Sequence, residues 1–187
     1  MVEQKYSTFW PRCCAGVIDS LIFVPYAGLA IFINFHSPVF VRLPLYLLNS
    51  SVFLAYSIFM HARYGQTLGK RSCKVIVLDV SEKPLSFSQA VLRDIVGVIL
   101  LPIGWMINIP KIMHGLDISM DPNLRQSTLE CIISYSTTVW FVVEVITMLT
   151  NNKRRALHDF IAGSVVVQKS YTVPQPATTA PASSSAT

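Results

Sequence analysis

Charged side chains are scarce in this sequence. Only 13% of its 187 residues are Asp, Glu, Lys or Arg, against about 25% in an average soluble domain. Apolar residues make up 52% of the chain, and the mean hydropathy is +0.49. Disordered, collagen-like and nucleic-acid-binding proteins have different compositions. The composition therefore excludes those classes and indicates a protein that lies largely in lipid.

Residues that usually form metal or catalytic sites are few and scattered. The four cysteines include no C-x-x-C pair and the four histidines include no i, i+4 pair, so we expect no metal site. No G-x-S-x-G sequence indicates a catalytic serine. Gly65–Lys70 has three residues between its glycines, where a phosphate-binding loop needs four, and predicts a tight turn instead. We therefore expect a protein that is not an enzyme and has no cofactor.

Four long apolar stretches are the main feature that the sequence does contain. Each approaches the roughly 20 residues that a helix needs to cross a bilayer. They lie near residues 14–35, 43–60, 90–110 and 131–150. The third is the least regular, because its uncharged part, Ile95–Pro110, carries two glycines and two prolines. Two interpretations stay open for it: a kinked crossing helix whose Arg93 reaches the interface, or a re-entrant element.

The distribution of basic residues favours four crossings with both termini in the cytoplasm. In that topology 12 of the 15 Lys and Arg residues lie on the cytoplasmic side, in agreement with the positive-inside rule. The sequence thus predicts an all-α multi-pass membrane protein with four transmembrane helices. Residues 1–13 form its cytoplasmic N-terminal segment. Residues 169–187, rich in Pro, Ala, Ser and Thr, form a disordered tail.

Two short runs rich in valine and isoleucine lie outside the predicted spans, at Lys74–Val80 and Ser164–Gln168. A strand of this length is not stable alone, so we predict that the two pair into a small cytoplasmic β-like appendage. The alternative is two separate extended segments at the lipid headgroups. Between the second and third spans, Ser86 followed by Gln89 matches a capping box and predicts the start of a helix.

Several short motifs resemble those of one membrane protein family. In chain order they are Phe9-Trp10-Pro11-Arg12 with Asp19 in the first span, Gly65-Gln66-Thr67-Leu68-Gly69-Lys70 before a β-like run, and Ala156-Leu157-His158-Asp159 before Gly163-Ser164-Val165. Over about residues 6–168 the sequence is similar to the RDD family. The Arg and two Asp residues for which that family is named correspond to Arg12, Asp19 and Asp159. The resemblance implies the membrane topology above and either ion or proton exchange or an accessory role in a larger membrane complex.

Two acidic residues, Asp19 and Glu144, lie inside predicted spans. An intramembrane carboxylate costs about 2.5–3.5 kcal/mol on insertion scales and so needs a partner or a function. The predicted topology places both acids in the cytoplasmic half of the membrane. They could share a proton or bind a cation, which makes them a candidate ion or proton site, or each could pair with a base such as Arg93. Charge pairing that only positions the helices is favoured, because no repeated transporter halves are found.

We therefore expect a structural or accessory component of a membrane complex. The alternative is a cation/proton antiporter that works through Asp19 and Glu144. The expected partners are the lipid bilayer and either further copies of the chain or other membrane proteins, with no nucleic acid. A bacterial inner membrane is the preferred location, and an organelle membrane is the other.

Overall fold

Four long helices dominate the computed structural model, which describes residues 5–114 and 128–171. The elements in chain order are α1 (Phe9–His36), α2 (Val39–Tyr64), α3 (Leu68–Ser72), β1 (Val75–Asp79), α4 (Phe87–Arg93), α5 (Ile95–Met113), α6 (Thr128–Thr150), α7 (Leu157–Ile161), β2 (Ser164–Gln168) and a 3-10 turn at Lys169–Tyr171. Helices α1, α2, α5 and α6 are each long and apolar enough to cross a membrane. The predicted multi-pass fold with four helices is confirmed.

The ends of the elements differ from the predicted bounds. α1 begins at Phe9, inside the predicted N-terminal segment, because helical backbone continues past the point where hydropathy falls. The predicted tail is ordered through Tyr171 as part of the 3-10 turn. Residues 172–187 lie outside the described residues, as do residues 1–4 and 115–127.

The third predicted span is two helices. α4 begins with the predicted capping box, in which Ser86 and Gln89 bond to each other's backbone. Asp94 separates α4 from α5, which is a continuous helix of 19 residues. This length agrees with the crossing interpretation. Arg93, however, is buried at the end of α4, for a reason given below.

The two β-like runs pair as predicted. β1 and β2 form an antiparallel sheet in which Val77 lies opposite Val166. Both valines are fully buried and pack with Leu85, just before α4, and with Ala90 of α4. Tyr6 packs against the opposite face of the sheet. A small hydrophobic core therefore exists outside the four spans, at the end where α1 begins.

The Gly65–Lys70 motif forms the predicted turn and then α3. Gly65 ends α2 with a φ of 64°, a left-handed conformation that favours glycine. Thr67 then caps α3, because its hydroxyl accepts the backbone N–H of Lys70. α3 packs against α1, and α2 packs against α1, α4 and α5. α6 differs from the other long helices in that its main packing partner among the described elements is α7.

Candidate functional site

Asp159 is a fully buried carboxylate in the first turn of α7. Its Oδ2 accepts Nη1 of Arg12 at 2.7 Å, and its Oδ1 accepts Nη1 of Arg93. The backbone N–H of Ala156 and the hydroxyl of Ser164 add hydrogen bonds of 3.0 and 3.2 Å. One carboxylate thus joins α1 and α4 to α7 and β2.

The two guanidinium groups determine the ionisation of Asp159. Burial by itself raises the pKa of Asp159, but Arg93 and Arg12 outweigh it and hold that pKa well below its usual range. The carboxylate does not use all the donors of Arg12. Nε and Nη2 of Arg12 are buried and have no hydrogen-bond partner among the described residues, although buried donors are normally paired.

Asp19 lies seven residues after Arg12 in α1 and is 6% exposed. Its Oδ1 accepts the hydroxyl of Tyr56 at 3.0 Å and the backbone N–H of Gly69 at 2.8 Å. Its Oδ2 accepts the hydroxyl of Thr67 at 2.6 Å. All three donors are neutral, and they come from α2, from the cap of α3 and from α3 itself. Asp19 therefore joins α1 to these two elements.

Gly69 makes its contact with Asp19 because it lacks a side chain. A Cβ at this position would lie 2.1 Å from the carbonyl oxygen of Ala15 and 2.8 Å from Cγ of Asp19. The backbones of α3 and α1 thus approach each other as closely as only glycine allows.

Glu144, the other intramembrane acid, lies in α6. It accepts Nε1 of Trp140 at 3.0 Å and Nδ1 of His158 at 2.5 Å. Nε2 of His158 in turn lies 3.4 Å from Oδ1 of Asp159. Glu144 and His158 therefore connect α6 to the group of charges around Asp159.

A chain of hydrogen bonds runs beside Asp19 from α3 to the start of α5. Nζ of Lys70 donates to Nε2 of His61 at 2.6 Å. Nδ1 of His61 donates to the carbonyl oxygen of Ser57 at 2.8 Å, and the hydroxyl of Ser57 donates to Asp94 at 2.8 Å. Burial lowers the pKa of Lys70 well below its usual range, and the nearby guanidinium of Arg93 adds to this effect.

These polar groups lie at the sheet end of a cleft between α1 and α6. The cleft has a volume of about 810 Å³, and Arg12, Asp19, Lys70 and Glu144 all line it. Apolar side chains line the remainder, among them Val17, Leu21 and Val24 of α1 and Phe141 and Val145 of α6. Within residues 5–114 and 128–171, no three His, Cys, Asp or Glu side chains could together hold a metal ion.

The structure brings together two of the three motif residues, Arg12 and Asp159, and places Asp19 separately. Asp19 does not receive the basic partner considered in the sequence, because Arg93 binds Asp159 instead. Glu144 lines the same cleft as Asp19 but is bonded to other groups.

The sequence did not indicate that Arg93 is an ion-pair partner of Asp159, nor did it indicate any of the donors to Asp19. It also did not indicate the pair of Lys70 and His61. One signal was present: Ser57 and His61 lie one helical turn apart at the polar end of the second span.

Four apolar helices, fastened at one end by buried charges and a two-stranded sheet, define a multi-pass membrane protein. The model of the RDD family matches residues 6–163, which is most of the chain. This protein therefore belongs to the RDD family, as the motifs indicated. Comparisons with curated proteins and with solved structures gave no match.

Proposed function

We propose that this protein is a non-catalytic accessory component of a membrane complex. The observation that carries the proposal is the use of its buried acids to hold its own elements together. Asp159 binds Arg12 and Arg93, and Asp19 accepts three neutral donors. An exchanger needs a carboxylate that repeatedly releases and rebinds its ion. Acids engaged in this way are better suited to positioning helices.

The loose packing of the four spans also supports an accessory role. In each span, only 6% of the most apolar 18-residue window is buried within the chain. α6 in particular has little contact with the other long helices. Membrane helices associate through close packing of their faces. The surfaces of these spans that the chain itself does not cover are therefore available for packing against the helices of other proteins.

Site-specific cross-linking tests this proposal. A photoreactive amino acid replaces Val139, which is 61% exposed on α6 and does not line the cleft. The matched control is the same amino acid at Val77, which is fully buried in the sheet. In the cells that make the protein, we expect Val139 to form adducts with membrane proteins of other sequence and Val77 to form none. Adducts with lipid or with the chain itself alone would contradict the proposal.

Transport measurements test the antiporter alternative. Purified protein is reconstituted into liposomes that contain a pH-sensitive dye, and a sodium or potassium gradient is applied. We expect no cation-driven proton flux above that of empty liposomes. Flux that disappears with Asp19→Asn or Glu144→Gln but persists with Ser20→Ala, an exposed neighbour in α1, would overturn the accessory role.

A further inference from the structure

The cleft between α1 and α6 contains a cation with unused hydrogen-bonding capacity. The side chain of Arg12 is 9% exposed and binds Asp159 through Nη1. Its Nε and Nη2 are buried, and neither has a partner among the residues that the structure describes. Lys70 lines the same cleft. In the hydrogen bonds described above, its Nζ donates only to His61, a neutral acceptor. Leaving guanidinium donors unpaired in a buried site is costly.

The acids that line the cleft already have donors. Asp19 accepts three hydrogen bonds, Glu144 accepts from Trp140 and His158, and Asp94 accepts from Ser57. The capacity left over is therefore that of N–H donors, on the guanidinium of Arg12 and the amino group of Lys70. Such donors bind phosphate and carboxylate oxygens through charge-assisted hydrogen bonds.

The remainder of the cleft suits a hydrocarbon chain. Along α1 the lining passes from Arg12 through Val17 and Leu21 to Val24. The 12 helical rises from Arg12 to Val24 span about 18 Å, close to the roughly 15 Å thickness of the hydrocarbon in one leaflet. Leu21 is 62% exposed and Phe141, across the cleft, is 65% exposed. No described part of the chain covers them.

We propose that this cleft binds an anionic phospholipid from the leaflet on the side of the β-sheet. The phosphate lies against Arg12 and Lys70, and one acyl chain lies between α1 and α6 along the apolar wall. A headgroup with net negative charge is preferred, because the trimethylammonium group of phosphatidylcholine would bring a second positive charge beside the guanidinium of Arg12. To donate to the phosphate, the buried Nε and Nη2 of Arg12 turn toward the cleft that Arg12 lines.

Competition between two lipids tests the proposal. The full chain is placed in nanodiscs with equal amounts of dioleoyl-phosphatidylglycerol and dioleoyl-phosphatidylcholine, and native mass spectrometry identifies the lipid that stays bound. We expect phosphatidylglycerol to be retained at least about fivefold over phosphatidylcholine, the factor that corresponds to about 1 kcal/mol, or roughly one net hydrogen bond of ordinary strength.

Two glycines of α1 supply a matched pair of variants. A Cβ at Gly16 or at Gly28 meets nothing within 4 Å, so both positions accept a larger side chain. Gly16 lines the cleft and Gly28 does not. Gly16→Phe should fill the cleft and abolish the preference for phosphatidylglycerol, whereas Gly28→Phe should retain it. Arg12→Lys, which keeps a cation for Asp159 but removes Nε and Nη2, should also weaken the preference.

Four results would overturn the proposal. The first is an equal preference for phosphatidylglycerol in Gly16→Phe and Gly28→Phe, and the second is equal retention of the two lipids by the unmodified protein. Millimolar inorganic phosphate could displace the lipid, which would indicate a site for the free anion. A dimer mass that Gly16→Phe abolishes would indicate that a helix of a second copy fills the cleft. Each result is independent of whether other membrane proteins bind α6.

Discussion

Two buried aspartates of this protein are stabilised by different chemistry. Asp159 lies between two guanidinium groups, whereas Asp19 accepts only hydroxyl and amide donors. The charge of Asp159 is therefore matched by opposite charge, and the charge of Asp19 is spread over dipoles. Removal of either charge should destabilise the fold, but to different extents and with different dependence on pH.

Asp19→Asn should lower the free energy of unfolding by about 1.5–3 kcal/mol, because hydrogen bonds to a charged acceptor become neutral ones. Tyr56→Phe removes a single donor and should cost about 1 kcal/mol. Tyr56→Phe should cost less when Asp19→Asn is already present, because the two groups contact each other. Unfolding in detergent measures all three variants. Equal or higher stability of Asp19→Asn would indicate that the carboxylate is repelled by another acid.

Asp159 should protect the fold against acid until the pH is low. Its pKa in the folded state lies well below the usual range, whereas in the unfolded chain the pKa of this carboxyl is about 3.9. The stabilisation is therefore complete above that pH and is lost as the pH falls through the folded pKa. Asp159→Asn should cost about 3–5 kcal/mol at neutral pH, because two buried cations lose their partner.

The pH series provides the check on this mechanism. The difference in unfolding midpoint between Asp159→Asn and the unmodified protein should shrink as the pH is lowered below about 4. Asp79→Asn, at the half-buried end of β1, is the control and should lower stability much less at neutral pH, because Asp79 accepts a neutral amide donor from Gln89. A difference that stays constant over the whole range would mean that Asp159 acts through packing and not through its charge.

The helix α3 shows how a very short element is held in place. Its five residues are too few to form a stable helix alone. Thr67 caps it, and its Gly69 lies against α1. The position of α3 also determines the Asp19 site, because one of the three donors is the backbone of Gly69.

Gly69→Ala should destabilise the protein by about 1–3 kcal/mol or more, because the added Cβ meets a backbone oxygen that cannot move away. Gly16→Ala, where a Cβ meets nothing within 4 Å, should instead raise stability by about 0.5–1 kcal/mol through helix propensity. Thermal unfolding of the two variants in the same detergent compares them. Equal effects would show that α3 does not pack on α1 as described.

The sheet, α3, α4 and α7 all gather at one end of the four long helices. Tyr6, just before α1, packs on the sheet, and α6 leads through α7 into β2. The two ends of the described chain therefore lie on the same side of the spans. The distribution of basic residues then predicts that this side faces the cytoplasm.

Reporter fusions test this topology. A reporter after Ser170 should be cytoplasmic, and one inserted within residues 115–123, outside the described residues, should lie on the opposite side. A third fusion after Ser81, in the turn between β1 and α4, should match the first and serves as the control. Fusions after Ser170 and within 115–123 that report the same side would refute the model with four crossings.

The sequence by itself indicated the family and favoured four spans and the pairing of the two strands, and the structure then gave the length of α5 and the register of the pair. Each of the three features indicated by the sequence depends on a local property. An apolar stretch inserts into lipid because of its own composition, and the runs at Lys74–Val80 and Ser164–Gln168 were too short and too apolar to stay unpaired. The capping box at Ser86 was likewise readable within four residues.

Only the tertiary structure decided which charges meet. Arg12 and Asp159 are 147 residues apart in the chain, and nothing local to Arg93 distinguished an interfacial position from a buried one. Their contact depends on the rotation of each helix about its axis and on the return of the chain after α6 to the ends of α1 and α4. Such features arise when all the elements pack together, because a buried charge binds the partner that packing places within reach.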